Sequence, residues 1–434
     1  MKFYSHLIFL VFSAMVLSVT SWSAPIEVRA PGQQAIPVAV TSFLPMAGGG
    51  PADVAREFQE VVKDDLEFSG IFRFIDPEAF LSDAGRLGME SSQVDFEQWR
   101  LLGTEALVKG GYVLEGENLV MEARLYDVLR GRLLTGQRYS GRRQDVRAMA
   151  HAFADQVLKA LTGNMGAFKA KIAYINDQTG FKELYMMDVD GNQPTRLTSH
   201  RSLVLNPDFS PQGKEIAFTS YRSGNPDLFR MEVYSRREAS VSSRKGLNIA
   251  GRYRPPAGRE LALTITEDGN ADLFIIGTDG RVSRRLTSSW GIDVDPSWSP
   301  DGERIAFVSD RLGNPQIFVI NVNGGKERRI TRTGSYNVTP AWSPDGERIA
   351  FSRLEGGRFD IHTIRPDGSD ERRLTFGAGN KEHPRWSPDG RFLVYSSTEK
   401  GKRGIYVMRA DGSGSRRISS AAGNSFHPAW SPRW

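Results

Sequence analysis

From about residue 170 to the end, short apolar runs alternate with polar turns in a pattern that repeats along the chain. One unit opens with Trp-Ser-Pro, passes through Asp-Gly into the apolar run RIAFV at 304–308, and reaches a second run, QIFVI, at 316–320. In most units an Asn-Gly or Asp-Gly pair and a third run of the form Arg-Arg-Leu-Thr follow. Such pairs favour tight hairpins because both turn residues accept positive φ. Each unit therefore predicts a four-stranded antiparallel sheet.

The spacing of the aromatic residues indicates the architecture. Six of them mark successive units: Phe209, Tyr253, Trp298, Trp342, Trp386 and Trp430. They lie 44 or 45 residues apart, and that period with four strands per repeat is typical of a β-propeller. We expect the tryptophans to pack between neighbouring blades. Two stretches depart from the pattern, since 253–258 lacks Ser-Pro-Asp-Gly and 231–246 lacks an Asp-Gly hairpin.

The two ends of the repeat region complement one another. Residues 171–174, 183–187 and 196–198 supply three strand-like runs with no aromatic stretch before them, whereas Trp430-Ser-Pro has no strands after it. Joining the ends completes one blade and closes the ring, which removes exposed sheet edges. The sequence therefore predicts an all-β six-bladed β-propeller over residues 164–434, closed by the C-terminal strand.

Residues 36–163 lack this repeat, and their apolar residues recur with helical spacing in some segments and with strand-like spacing in others. A strand over 36–44 leads through three glycines to a helix over 51–68, whose apolar residues share one face and which Gly70 ends. A strand at 71–75, a short helix at 96–102, three further strands and a helix over 145–161 follow. This order predicts a small α/β (α+β) domain with a mixed or antiparallel sheet.

The first residues have the layout of a secretory signal peptide. Lys2 precedes an apolar run over 7–19, and the small residues Ser21 and Ser23 then favour cleavage after Ser23. A membrane anchor is the alternative, but the run is shorter than a spanning helix needs. We therefore predict a signal peptide over 1–23, a mobile segment over 24–35 and a periplasmic location.

The composition limits the kinds of covalent cross-link and metal site that the protein can contain. The chain contains no cysteine, so export brings no disulfide framework, and no thiolate is available for a zinc site. The formal net charge of +5 is small for 434 residues and argues only weakly for acidic partners.

Catalytic and cofactor motifs are missing from the sequence. It has no G-x-S-x-G, no H-E-x-x-H and no Walker A pattern, and its six histidines are scattered. His383 and His427 share an offset before their tryptophans, but each precedes a proline, which favours a role in loop structure. Gly48, Gly49 and Gly50 favour a turn over a phosphate site. We expect no cofactor, no metal and no enzymatic activity.

Arginine pairs recur at 284/285, 328/329, 372/373 and 416/417. Nucleic acid or an anionic membrane could account for them, but they recur at one place in each blade, on the strand predicted to be outermost. Charge on an edge strand prevents edge-to-edge pairing, so we favour a structural role and expect no nucleic-acid partner.

The chain resembles the TolB family, the exported propeller proteins of the Tol-Pal envelope system. The resemblance covers nearly the whole mature sequence and rests on both domains in this order, including the Trp-Ser-Pro-Asp-Gly blades. In the first domain it rests on Asp65-Leu66 with Ser69-Gly70, Trp99 with Leu102-Gly103, Leu125 to Val128, Ala150-His151 with Asp155, and Leu161-Thr-Gly163 leading to Phe168. It implies a monomeric scaffold that supports outer-membrane integrity and constriction at cell division.

The resemblance also implies two partners. A peptidoglycan-associated lipoprotein (Pal-like) is expected at the propeller mouth, and a TolA-like inner-membrane protein at the N-terminal strand formed by Ala24, Pro25, Ile26, Glu27, Val28 and Arg29. Polar residues recur in the loops that lead into each aromatic stretch, which places them at one mouth of the tunnel: Asn206, Asn248, Asp293, Asp295, Asn337, Asn380, Glu382 and Asn424. Their oxygens would suit Ca²⁺, although no contiguous ligand loop is visible.

Two other classes of function remain open from the residues alone. A propeller hydrolase or lyase with its site in the tunnel would depend on acids such as Asp293 or Asp295. A propeller that binds a small ligand or a sugar is the other possibility.

Overall fold

The computed structural model describes residues 35–267 and 269–433. The predicted signal peptide, its cleavage after Ser23 and the predicted partner-binding segment Ala24 to Arg29 lie outside the described residues. Within the described part, no helix has the length and apolar character required to span a membrane.

The first domain is built on one mixed sheet with the strand order β3-β1-β4-β5-β6. Its strands are β1 (Ile36–Val40), β2 (Leu44–Pro45), β3 (Phe72–Phe74), β4 (Ala106–Glu115), β5 (Asn118–Asp127) and β6 (Arg132–Arg142), and its helices are α1 (Ala52–Ser69), α2 (Phe96–Leu101) and α3 (Val146–Thr162). Four short 3-10 turns lie at Pro77–Ala79, Ser82–Gly85, Ser91–Gln93 and Arg143–Asp145. Strand β1 runs parallel to β3 and β4, whereas β4, β5 and β6 are antiparallel, so the predicted α/β domain is confirmed.

Alternation along the strands gives this sheet two buried faces. Val38 and Val40 point toward α1 and α3, while Ala39 between them packs with Trp99 of α2 on the opposite face. Helices α1 and α3 end at Gly70 (φ 72°) and Gly163 (φ 78°), left-handed positions that glycine adopts without steric cost.

Six four-stranded antiparallel sheets form the propeller. Blade 1 is β30 (Ser425–Trp430), β7 (Lys171–Asn176), β8 (Glu183–Asp188) and β9 (Thr195–Arg196); blade 2 is β10 (Val204–Phe209), β11 (Glu215–Ser220), β12 (Asp227–Glu232) and β13 (Glu238–Ser242); blade 3 is β14 (Asn248–Tyr253), β15 (Glu260–Glu267), β16 (Asn270–Gly277) and β17 (Val282–Arg285). Blade 4 is β18 (Asp293–Trp298), β19 (Arg304–Ser309), β20 (Gln316–Asn321) and β21 (Arg328–Arg329); blade 5 is β22 (Asn337–Trp342), β23 (Ile349–Glu355), β24 (Arg358–Ile364) and β25 (Arg372–Arg373); blade 6 is β26 (Lys381–Trp386), β27 (Phe392–Ser397), β28 (Gly404–Arg409) and β29 (Arg416–Arg417).

The ring closes as the sequence predicts. The last strand, β30, pairs antiparallel with β7, and Trp430 lies opposite Ile172. The tryptophans also pack between blades, since Trp298 of blade 4 shares a buried cluster with Ala262, Leu273 and Ile275 of blade 3. Blade 2 forms its fourth strand without an Asp-Gly pair because Arg236 takes the left-handed turn position (φ 60°).

The Arg-Arg-Leu-Thr motif has a defined structural role. In blade 4, Thr331 donates to Gln316 and accepts the backbone N–H of Ile317, which ties the fourth strand to the third. Arg328, on the outermost strand as predicted, donates to the carbonyls of Pro366 and Asp367 in the next blade. The sequence suggested that the arginine pairs prevent edge pairing. In the structure Arg328 instead connects blade 4 to blade 5 by hydrogen bonds.

Candidate docking face and tunnel

The direction of the strands defines two ends of the propeller. In every blade the first strand runs from one end of the ring to the repeated aromatic residue and the turn after it at the other end. The second, third and fourth strands then alternate in direction. We call the turn end the WSP face. The loops that lead into the first strands and the hairpins between second and third strands form the opposite end, here called the loop face.

The first domain sits on the WSP face of blades 1 and 6. Phe68 of α1 stacks on Phe392, with ring centroids 4.9 Å apart, and Arg409 donates to the carbonyl of Phe68 at 2.9 Å. Residues from both domains share one buried apolar cluster. The described part of the first domain therefore packs on the opposite side of the propeller from the loop face.

A bulge recurs at the third position of every first strand. The pairing register shifts there in all six blades, and the residue takes a left-handed φ between 44° and 58°. These residues are Asn206, Ala250, Asp295, Thr339, His383 and His427. The rings of His383 and His427, from adjacent blades, have their centroids 4.2 Å apart. Because a bulge re-aims side chains, the six residues form a ring inside the tunnel.

The fifth and sixth positions of all six first strands line a single cavity of about 270 Å³, which is the WSP end of the tunnel. The sixth positions are the repeated aromatic residues. Three of the fifth positions are charged, namely Asp208, Arg252 and Arg385, and the others are small. Arg252 Nη1 donates to the carbonyl of Pro207 at 2.9 Å and lies 3.7 Å from Asp208.

Burial controls the charges in this tunnel. It raises the pKa of the Asp208 and Asp295 carboxyl groups, an effect that the nearby Arg252 opposes. Burial and the neighbouring Arg252 lower the pKa of Arg385 to about 9. Burial and cationic neighbours lower the pKa of His427 to about 3 and that of His383 well below its usual value. Both imidazoles are therefore neutral at neutral pH, and the tunnel is lined by arginine side chains that face aspartates.

Three of the eight predicted mouth residues are not at the mouth. Asn248, Asp293 and Asn337 occupy the first position of their strands and are fully buried. Asn248 and Asn337 hold the preceding loop instead, since they donate to the carbonyls of Arg244 at 2.6 Å and Thr333 at 3.1 Å, whereas Asp293 accepts from Arg311 of the neighbouring hairpin at 2.8 Å. These three side chains are buried because side chains on a strand alternate, and this position faces the blade interior; their role in partner binding stays a prediction.

The remaining five predicted residues divide into two groups. Asn206 and Asp295 belong to the bulge ring, and Glu382 forms an ion pair with Arg403 on the loop face. Asn380 accepts from the backbone N–H of Phe359 at 3.0 Å. Asn424 donates to Asp177 at 3.1 Å. Both asparagines therefore fix loops of the loop face. Their predicted role in partner binding stays a prediction.

An apolar rim on the loop face was not foreseen from the sequence. Its members are large hydrophobic residues that are at least 38% exposed and come from loops or hairpins of this face: Phe181, Leu203, Trp290, Ile292, Leu312, Tyr336 and Phe376. The Trp290 to Ile292 loop rests on the hairpin that carries Leu312, since the backbone N–H of Ile292 donates to Asp310 at 2.7 Å. Contiguous exposed apolar groups, such as those of the Trp290 to Ile292 loop and Leu312, are a feature of protein-docking surfaces.

The tunnel charges were also missed, although the sequence carries a signal for them. Asp208, Arg252 and Arg385 each stand directly before the repeated aromatic residue, where other blades have serine or alanine. A charged residue at a repeated inward position is unusual enough to indicate a lined channel.

Metal-ligand geometry occurs elsewhere in the described part of the chain. Among residues 35–267 and 269–433, the only group with suitable spacing is His151, Asp188 and Asp190, at the contact between the domains and not in the tunnel. Arg147 and Lys171 form ion pairs with its two carboxylates and already supply positive charge there.

Comparison with known proteins agrees with both domains. Residues 24–134 match the TolB amino-terminal domain, and residues 158–434 match the TolB beta propeller domain. The Tol-Pal system protein TolB of Syntrophotalea carbinolica is 61% identical over 207 residues, which is 48% of each chain. The protein of that name from Desulfosudis oleivorans is 39% identical over 267 residues, 61% of this chain and 60% of that one. In these matches the chain spans between about half and three fifths of its relatives' length.

A solved structure extends the similarity to nearly the whole chain. The crystal structure of TolB from Acinetobacter baumannii superposes with a TM-score of 0.80 and 27% identity, and it covers 92% of this chain and 97% of that one. Both the α/β domain and the closed six-bladed ring fall within this overlap. The chain therefore belongs to the TolB family of the Tol-Pal system.

Proposed function

We propose that this protein is a periplasmic, non-enzymatic scaffold of the Tol-Pal system whose loop face docks a Pal-like lipoprotein. In this role it supports outer-membrane integrity and constriction at cell division. It acts as a monomer and reaches the periplasm through the signal peptide predicted over residues 1–23.

The apolar rim on the loop face carries this proposal. Trp290, Ile292 and Leu312 are 76%, 50% and 61% exposed and lie on contacting segments of blade 4. Aromatic and aliphatic groups of this kind become the centre of a binding interface when a partner excludes water from them. Because the first domain packs on part of the other end of the ring, none of its described residues covers the loop face.

The polar mouth inside the rim supports specificity. Lys182 lies 4.3 Å from the centre of the Phe426 ring, and Arg403 pairs with Glu382 beside it. A partner that buries these charges must complement them, because an unpaired buried charge costs several kcal/mol, roughly 3–5. Charge matching at the mouth would therefore select the partner, while the rim supplies most of the affinity.

Binding of the purified soluble domain of a Pal-like lipoprotein, measured by calorimetry, tests this surface. Trp290→Ala and Leu312→Ala should each weaken binding about 30-fold, because loss of an interface hot spot costs about 2 kcal/mol. Tyr234→Ala is the matched control, since Tyr234 is 81% exposed but lies in a WSP-face turn. Equal weakening by the control, or unchanged binding of both loop-face variants, would contradict the proposal.

We further propose that Ala24 to Arg29 bind the TolA-like protein, as the family resemblance implies. These residues precede β1 in the chain, and β1 lies in the first domain and not at the loop face. Deleting 24–29 should abolish binding to the TolA-like protein and leave Pal-like binding intact. Equal loss of both would refute separate sites.

A further inference from the structure

The contact between the two domains contains a buried histidine that neither partner site uses. His151 of α3 is 2% exposed, and its Nδ1 lies 2.6 Å from the carboxylate of Asp65 on α1, which is 1% exposed. A buried carboxylate is stable only when a hydrogen-bonded or charged partner compensates for its lost hydration. His151 provides that compensation within the first domain.

The second nitrogen of the same ring points into the propeller. Nε2 of His151 lies 3.3 Å from Oδ2 of Asp190, which belongs to the turn between β8 and β9 of blade 1. Asp190 is fixed in place, because its other oxygen accepts the backbone N–H of Asn192 at 3.0 Å. One imidazole thus stands between a carboxylate of each domain.

The surrounding charges favour a protonated ring. Arg147 pairs with Asp190 and Lys171 with Asp188, so those carboxylates also have cations within the described residues. Arg416 of blade 6, over the Phe68 ring at 3.9 Å, acts on Asp64 and Asp65 of α1, and Glu57 lies 3.6 Å from Arg147. Nδ1 is hydrogen-bonded to Asp65, and only an imidazolium also carries a proton on Nε2, which then faces the Asp190 carboxylate at 3.3 Å as an ion pair.

We infer that His151 is a latch whose cationic ring joins Asp65 of the first domain to Asp190 of the propeller and fixes the orientation of the two domains. The linker alone would not do so, since between α3 and β7 it is held mainly by Asp155, which accepts the backbone N–H groups of Phe168 and Lys169 at 2.8 and 3.0 Å. These contacts lie at the end of α3, so the relative orientation of the domains depends on contacts across the interface itself: the latch, the Arg147–Asp190 ion pair, the bond from Arg409 to the Phe68 carbonyl and the shared apolar cluster. Opening the latch therefore widens the range of domain orientations without unfolding either domain.

Distance measurement between spin labels tests the latch directly. The chain has no cysteine, so Glu117→Cys in the first domain and Lys326→Cys in the propeller give two unique labels at exposed positions. We expect His151→Leu to broaden the distance distribution. The matched control is His200→Leu, because His200 is also bonded to a carboxylate, Glu238 at 2.9 Å, but entirely within the propeller. An unchanged distribution in His151→Leu, or equal broadening in His200→Leu, overturns the inference.

A second variant and a pH series keep the test independent of folding defects. Asp190→Asn leaves the pair with Asp65 in place and should also broaden the distribution. Burial lowers but the two carboxylates raise the pKa of His151, to about 10 from its ordinary 6.5, so the latch is complete below about pH 6.5 and weakens as the pH rises toward 10. Raising the pH from about 7.5 to about 9.5 should thus broaden the wild-type distribution but not that of His151→Leu. A pH response of equal size in both, or stoichiometric Zn²⁺ binding that requires His151, would refute the cationic latch.

Discussion

At the scale of single residues, the same buried position of the inner strand is occupied by different residue types in the six blades. The first position of the inner strand is buried in all six blades and is occupied by Val204, Asn248, Asp293, Asn337, Lys381 or Ser425. Asn248, Asn337 and Lys381 each donate to carbonyls of the loop before them. Lys381 does this with a charge, because its Nζ donates to the carbonyls of residues 376, 377, 378 and 379 at 2.7–3.3 Å.

Replacing that buried lysine should destabilise the fold strongly. Lys381→Met removes the buried ammonium that these four carbonyls share, and it also removes one of the cations near Asp360, which lies 3.6 Å from Nζ and keeps its ion pair with Arg373. We expect the free energy of unfolding in urea to fall by about 3 kcal/mol. Lys326→Met, at an exposed site, should change it by less than about 0.5 kcal/mol. A loss no greater than that of the control would show that the lysine does not hold the loop.

Asp155 should make stability depend on pH near neutrality. Burial raises its pKa to about 7 from 3.8, against the two backbone N–H donors. The folded state therefore holds this proton more tightly than the unfolded chain, so the contribution of Asp155 to stability falls as the pH rises from about 4 to about 7. Denaturation of wild type and Asp155→Asn across that range should give a difference curve with this slope. A flat difference curve would contradict the raised pKa.

At the scale of elements, the first strand of each blade combines two tasks in six residues. Its last residue is an aromatic group packed between blades, and its third residue is the left-handed bulge inside the tunnel. Proline follows the bulge in five blades and glycine, Gly251, in the third. The bulge reverses the alternation of side chains partway along the strand, which is why neighbouring positions can serve the tunnel and the core.

Two tryptophans of blade 4 should behave in opposite ways. Trp298→Ala empties a site between blades 3 and 4, so we expect the free energy of unfolding to fall by about 3–5 kcal/mol. Trp290→Ala removes a group that is 76% exposed and should cost less than about 0.5 kcal/mol, although it weakens partner binding. Chemical denaturation of both variants tests this, and equal midpoints would contradict the assignment of core and rim.

At the scale of the whole molecule, the ring and the first domain depend on one another. Trp430 of the closing strand lies 6.3 Å from Phe392, which in turn stacks on Phe68 of α1. The closing strand thus completes blade 1 and also supports the surface on which the first domain rests. The described residues of the first domain leave the opposite end of the ring uncovered.

Removing the closing strand should therefore affect the entire molecule. A chain that ends at residue 424 loses β30 and leaves β7 with an unpaired edge, which invites association with other chains. We expect aggregation in size-exclusion chromatography and loss of a cooperative thermal transition. A monomeric truncated protein with an unchanged transition would show that closure is dispensable.

The sequence by itself determined the architecture, because a repeat of 44 or 45 residues with hairpin turns and periodic aromatics leaves few folds that bury them all. It also determined the ends of α1 and α3, since Gly70 and Gly163 accept a left-handed conformation. These properties follow from local preferences and from repetition, both of which are visible in one dimension.

Only the tertiary structure decided which polar residues face the tunnel, the loops or the blade interior. Asn206 and Asn337 have similar sequence surroundings, yet one lies at the bulge and the other is fully buried, because the strand alternates and then shifts its register. The rim on the loop face and the contact of His151 with Asp65 and Asp190 likewise join residues far apart in the chain. Such neighbours are fixed by the closure of the ring and the docking of the first domain, which no local pattern records.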